Sequence, residues 1–159
     1  MRRKDKEIKK QKIIESLLNR ALVCRIGLSL NNVPYIVPMN FCYKDNALYL
    51  HSSRIGRKID ILKKNNNVCF EIDLDKKLEE SKIPCNWTMK YYSVIGQGIA
   101  SFLDEYEDKE KVMNIIMEKY SKRNQWKFPK NMIEKVLIIK IQIIHLSGKS
   151  SIHFLCIDQ

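Results

Sequence analysis

Apolar and polar residues alternate through most of this chain, and the period of that alternation changes in a few places only. "ALVCRIGLSL" runs into Asn31-Asn32, "VPYIVPMNFCYK" (residues 33–44) runs into Asp45-Asn46, and "ALYLHSS" follows. Paired Asn or Asp residues tolerate the positive φ of tight hairpins, so these three segments are expected to form a meander. "VCFEIDL", "MKYYSVIGQGIASFL" and "KVLIIKIQIIHL" are further strands. In the last, Leu137, Ile139, Ile141 and Ile143 share one face, with Lys140 and Gln142 on the other. Helical spacing predicts a surface helix over residues 6–19, a short helix from Arg57 ended by Asn65 to Asn67, and a helix opened by Asp104 and Glu107. Met113, Ile116, Met117 and Tyr120 form one stripe of that third helix, read as core. Residues 75–86 form a charged excursion. Gly96 and Gly98 inside a strand point to a bulge, a barrel corner or a close backbone approach.

About six antiparallel strands with few helices make the expected fold mainly β. Closure into a small barrel removes the edges that long apolar strands would otherwise expose. A parallel sheet would need more crossover helices. At 159 residues the chain is expected to be one domain spanning 1–159. No apolar run is long enough for a bilayer, and "MRRKDKEIKKQKII" is too charged for a signal peptide, so the expected location is cytoplasmic. Five cysteines without a CxxC pair offer neither a disulfide frame nor a zinc site, and no metal is expected; most are read as small buried apolar residues. The balance of 29 basic against 18 acidic residues, net +11, favours anionic ligands. Nucleic acid is not the expected partner, because no recognition motif accompanies the charge, and lysine is the default surface residue along the whole chain.

One short stretch conflicts with elementary electrostatics. In "HSSRIGRK", Arg57 and Lys58 open a helix whose N-terminus already carries partial positive charge. Ser52 and Ser53 supply hydroxyls, Gly56 permits a tight turn, and the first N–H groups of the helix point the same way. A phosphate would resolve the conflict; solvated cations are the alternative, and charge alone does not separate the two. In "VPMNFCY", Pro38 cannot donate a ladder hydrogen bond, so Met39, Asn40 and Phe41 follow an interruption. That interruption offers backbone to a planar heteroaromatic ring or simply marks an edge, and taken alone the strand favours the edge.

Six segments in order, "CRIGLS", "PYIVPMNF", "LYLHSSRIGRKIDILKKN", "VCFEID", "CNWTMKYYSVIGQG" and "SGK", resemble the nitroimidazole-resistance (Nim) family within the pyridoxamine 5′-phosphate oxidase-like FMN-binding split barrels. The resemblance covers about Arg2 to Lys149. It implies a six-stranded antiparallel split β-barrel, a homodimer, and one FMN in each of two interfacial clefts. It further implies that the flavin ring lies against the backbone of Pro38, Met39, Asn40 and Phe41, and that Ser52 or Ser53 holds the phosphate with Arg57 and Lys58. His51 falls where the family has a histidine near flavin and substrate, and Trp87 and Ser93 match a segment that completes the cleft from the other subunit. Tyr92 departs from the pattern, standing where relatives often carry a basic residue before the serine of "SVIG".

The function implied is an FMN-dependent reductase: NAD(P)H as hydride donor, a small oxidised acceptor such as a nitroaromatic or 5-nitroimidazole compound, and His51 as a proton donor. Fold does not fix function, so a flavin-binding module or redox sensor without turnover is a second reading, and a haem-binding relative a third. His145 is expected to pack or pair locally, and His153 to lie in a tail. Cys42 and Cys85 lie nearest the cleft without an evident basic partner, which argues against a nucleophile.

Overall fold

A computed structural model describes residues 3–121 and 126–151. In chain order the elements are β1 (Glu7–Ile8), α1 (Gln11–Arg20), β2 (Cys24–Leu30), β3 (Val33–Met39), β4 (Cys42–Lys44), β5 (Ala47–Ser53), α2 (Arg57–Lys64), β6 (Asn67–Glu79), β7 (Thr88–Leu103), α3 (Tyr106–Ser121), α4 (Lys130–Ile133) and β8 (Val136–Ser150). The strands form one antiparallel sheet in the order β3-β2-β6-β7-β8-β5-β4, with β1 added to the far end of β8. The two edge strands β3 and β4 are consecutive in the chain, separated only by Asn40 and Phe41. Three residue steps reach at most about 11 Å, so the two edges must come together and the sheet curls into a barrel with its split at this crossing. Counted as one interrupted strand, β3 and β4 leave six strands in the barrel beside the short β1.

This corrects the meander. The expected turns are present, with positive φ at Asn31 (51°), Asn32 (62°), Asp45 (51°) and Asn46 (55°). Residues 33–44, however, pair with β2 through their first seven residues and with β5 through their last three, at opposite edges of the sheet. Neither Asn40 nor Phe41 has positive φ, so the chain runs on across the split.

Alternation decides the core. Leu48 and Leu50, Ile26 and Leu28, Phe70 and Ile72, Val94, and Leu137, Ile139 and Ile141 fill the barrel, capped by Ile14, Leu17 and Leu18 of α1 and Ile59 and Leu62 of α2. Each fully buried large side chain contributes about 1.5 to 3 kcal/mol relative to exposure. α3 covers the outside of β8, where Val112 and Ile116 pack on Ile138 and Cys42. This second layer explains why "VLIIKI" is apolar on both faces.

Several boundaries differ from expectation. The helix expected over 6–19 starts at Gln11, because Glu7 and Ile8 pair with Lys149 and Gly148. The charged excursion begins as strand: β6 continues to Glu79 past a register shift after Leu74, beside Asp75 at φ 52°. β8 runs on to Ser150. Asp104 does not open α3, which begins at Tyr106; its carboxylate instead pairs with Arg54 and with Nζ of Lys109 at 2.6 Å. Lys109 is buried, so Asp104 neutralises a cation that water cannot reach. No helix among the described residues is long and apolar enough to cross a membrane.

Hydrogen bonds from Arg54 and Lys109 hold the Asp104 carboxyl well below the usual carboxylate range. A depressed acid stabilises the fold above its unfolded pKa, and that stabilisation is lost as pH falls through the folded value. Asp104→Asn is therefore expected to lower stability at pH 7 by about 1 to 2 kcal/mol, discounted for the half-exposed carboxylate. The gap to wild type should narrow below about pH 4, read by urea unfolding across pH.

Candidate functional site

Strand alternation in β5 sends Leu48, Leu50 and Ser52 inward and Tyr49, His51 and Ser53 outward. Ser52 is 8% exposed, and its Oγ is the buried side-chain polar atom with no hydrogen-bond partner among the described residues. A buried hydroxyl in that state costs about 1 to 3 kcal/mol. The Ser53 hydroxyl is committed locally, donating to the Ile55 carbonyl at 2.7 Å. Gly56 turns the chain into α2 at φ 121°, a conformation L side chains rarely adopt, with open space where a Cβ would stand. No side-chain hydrogen bond caps α2 at Gly56; the Ile59 and Asp60 N–H groups donate to the Gly56 carbonyl, which leaves those of Arg57 and Lys58 to face an anion.

The cations behave unequally. Of the described arginines, Arg3, Arg20, Arg25 and Arg54 each hold a carboxylate, at Asp5, Asp75, Glu71 with Asp73, and Asp104. Arg57 holds none, and neither does Lys58. The Arg57 guanidinium instead lies 4.8 Å from the centre of the Tyr35 ring on β3, which orients its planar fork without neutralising it. His51 shares this neighbourhood: partial burial, and then the charge of Lys58, pull its imidazole below the ordinary histidine value. Both effects favour the neutral imidazole. Arg57 is thus brought to Tyr35, and Lys58 near His51, at the turn that leads from Ser52 and Ser53 through Gly56 into α2. Tyr35 was not legible as a site residue, because nothing local in "VPYIVP" says that β3 and α2 meet.

At the split, Pro38 and Met39 pair in register with Arg25 and Cys24, Asn40 is exposed, and the Phe41 side chain is fully buried. The backbone here is less open than its sequence suggests, because the Phe41 N–H donates to the Tyr120 hydroxyl at 3.0 Å. Trp87 and Ser93 lie elsewhere. Trp87 is exposed and donates from Nε1 to the Ser81 carbonyl at 2.6 Å. Ser52 pairs with Leu137 of β8 and Ser93 with Lys149, twelve residues further along the same strand, a contour of about 40 Å. One copy of the chain does not bring Ser93 to the Ser52 turn. Three surface grooves among the described residues also lie apart from it, one lined by Gly27, Cys69, Gln97 and Ile144, one by Arg20, Arg25 and Asp73, one by Tyr49, Lys111 and Lys140.

The remaining candidates fall away on burial. Cys24 and Cys42 are buried and Cys69 and Cys85 exposed, so half of the described cysteines, not most, are core. Cys42 does have a basic neighbour, Lys119, yet burial still pushes its thiol up to about 11. His145 is exposed within β8 and does not end the strand, in register with Gln97 beside a bulge. His153 and Cys156 lie outside the described residues. No cluster of His, Cys, Asp and Glu that could hold a metal occurs among the described residues.

The family model described as pyridoxamine 5′-phosphate oxidase matches residues 10–150. The chain belongs to this family. A solved structure similar to it is a candidate 5-nitroimidazole antibiotic resistance protein of Bacteroides thetaiotaomicron, 35% identical, covering 90% of this chain and 85% of that one at a TM-score of 0.80. The resemblance to the nitroimidazole-resistance branch therefore holds, and with it the split-barrel fold. The flavocytochrome Anf3 of Azotobacter vinelandii is 20% identical, covering 96% of this chain and 72% of that one at a TM-score of 0.81. An FAD- and haem-binding protein of Mycobacterium smegmatis is 13% identical, covering 92% and 73% at 0.82; both share the fold. None of the curated proteins matches. In this family member the Arg57 turn packs on β3, the strand that runs on to the Pro38 to Phe41 crossing, while Ser93 lies far along β8 from Ser52.

Proposed function

We propose that this protein is an FMN-binding flavoprotein that reduces small oxidised organic molecules, nitroaromatic or 5-nitroimidazole compounds among them, with NAD(P)H as electron donor. Two observations carry the reading: an orphaned buried hydroxyl, Ser52 Oγ, and, five residues on in the same strand-to-helix turn, the one described arginine that lacks a carboxylate, Arg57. The donor set fits a phosphate monoester: a hydroxyl, a planar guanidinium, the Lys58 ammonium, and helix N–H groups at an open glycine turn. Ser52 is the better of the two serines, since Ser53 already has a partner. FMN, when bound, supplies two-electron hydride chemistry and transfer to an acceptor. The chain's part is to hold the phosphate, to present Pro38, Met39, Asn40 and Phe41 to the ring, and to keep a neutral His51 whose N–H can donate toward a reduced acceptor.

The cleft is shared in this proposal. Because Trp87 and Ser93 sit a long strand away from Ser52, they complete a site only on a second copy. Leu78 of β6, Met89 of β7, and Ile83 and Trp87 in the connection between them are exposed apolar residues that such a homodimer would cover. The cytoplasm, where NAD(P)H is available, and a single domain over 1–159 complete the proposal.

The test is the absorption spectrum of the purified protein, with its chromophore released and identified, its mass in solution, and NAD(P)H consumption on adding a nitroimidazole. Flavin bands, FMN on release, a dimeric mass and steady oxidation are expected. Bound FMN without turnover would make the protein a flavin module, a haem spectrum would replace the cofactor, and a colourless protein that refuses FMN would defeat the proposal.

A further inference from the structure

We infer that Lys119 and Tyr120, consecutive residues near the end of α3, are positioning residues for the flavin site, acting through the Asn40–Phe41 crossing. The inference rests on the proposed function and adds residues that do not touch the cofactor.

The ladder fails at the split. Met39 is the last residue of β3 paired with β2, Cys42 the first of β4 paired with β5, and the two residues between them have no strand partner. Phe41 is fully buried, so its backbone groups cannot turn to water. One phenol takes up the N–H, while its own single proton goes to a carbonyl of another segment. Tyr120 Oη accepts the Phe41 N–H at 3.0 Å, lies 3.2 Å from the Phe41 carbonyl, and donates its own proton to the Leu22 carbonyl just beyond α1.

Lys119 grips the same residue from its other side. Its Nζ stands 3.7 Å from the centre of the Phe41 ring and donates to the Leu18 carbonyl of α1 at 3.1 Å. Side chains adjacent on a helix diverge by about 100°. That both reach Phe41 places this residue in the wedge between them, ring under the ammonium and backbone under the phenol. α3 thus ties the crossing to the end of α1. Asn40, immediately beside the gripped residue, is exposed. Burial lowers the Lys119 ammonium to about 8, in line with how closely it is enclosed.

The experiment uses the FMN-loaded protein and three variants: Tyr120→Phe, Lys119→Met, and, as a control for lost packing on the same helix, Ile116→Val. FMN dissociation constants come from fluorescence titration, the flavin bands from absorption, and exchange of the Phe41 amide from NMR. Tyr120→Phe and Lys119→Met are expected to weaken FMN binding at least about ten-fold and to shift the visible flavin bands. Tyr120→Phe should in addition speed exchange at Phe41. Ile116→Val should lower the melting temperature without moving the bands. Wild-type affinity and spectrum in Tyr120→Phe would overturn the inference. If the wild-type protein takes up no flavin, the proposed function fails; the clamp is then judged on exchange alone, and an unchanged Phe41 amide in Tyr120→Phe overturns it.

Discussion

Replacing Arg57 and Lys58 together with alanine is expected to weaken FMN binding by roughly two to three orders of magnitude while leaving the melting temperature almost unchanged. Each charge-assisted hydrogen bond to a phosphate is worth about 1.5 to 3 kcal/mol, and about 1.4 kcal/mol is a factor of ten in affinity. Losing one or two of them after partial compensation by water gives the stated range. The fold should hardly notice. Two cations at a helix N-terminus cost about 0.3 to 1 kcal/mol each, so their removal relieves the start of α2. Against that stands the loss of Arg57 from the Tyr35 ring, about 0.5 to 1 kcal/mol at an exposed position. Fluorescence titration with FMN alongside thermal melting separates the effects. Equal FMN affinity in variant and wild type would show that these cations merely sit in water.

The largest loss of stability is expected from Gly96→Ala, at a residue remote from the proposed phosphate. A Cβ built on Gly96 would stand 2.2 Å from Cζ of Phe70 and 2.5 Å from its Cε1. Phe70 is 1% exposed and belongs to the barrel core, so its ring has no free volume to enter. Overpacking of this kind costs about 3 kcal/mol, near the top of the usual range because the obstruction is a rigid ring. For a chain of this size the melting temperature should fall by about 10 °C. Calorimetry of the two proteins reads it directly. A fall of under about 2 °C would mean that β6 and β7 can separate at this point, contrary to their register of Phe70 with Gly96.

The neighbouring Gly98 answers a different demand. Its Cβ would meet the Gln142 carbonyl at 2.4 Å, where β7 slips register against β8. Two glycines one residue apart were legible as a close approach, but not which residue approaches. One lies under an aromatic ring of the preceding strand and the other against the backbone of the following one. A strand's own residues carry the period of its faces; the identity of its neighbours depends on segments tens of residues away.

The same division runs through the candidate site. His51, Ser52, Ser53, Arg57 and Lys58 are close in sequence, and their conflict with the helix dipole is written in adjacent letters. Tyr35, Tyr120 and the Arg54–Asp104 pair are not, because their contacts with Arg57, with Phe41 and with each other span 22, 79 and 50 residues of chain. Ser52 shows the limit clearly: its composition as a serine was plain, while its orphaned hydroxyl exists only because β5 turns that face into the barrel.

Hairpins, strand faces and the cationic turn follow from short-range preferences: Asn and Asp accept positive φ, side chains alternate on a pleat, and a glycine opens α2. How residues 33–44 divide between opposite edges, and how α3 reaches across to hold Phe41, follow from closing a curled sheet around one core. That closure is a balance of packing over the whole barrel, and no window of neighbouring residues contains it.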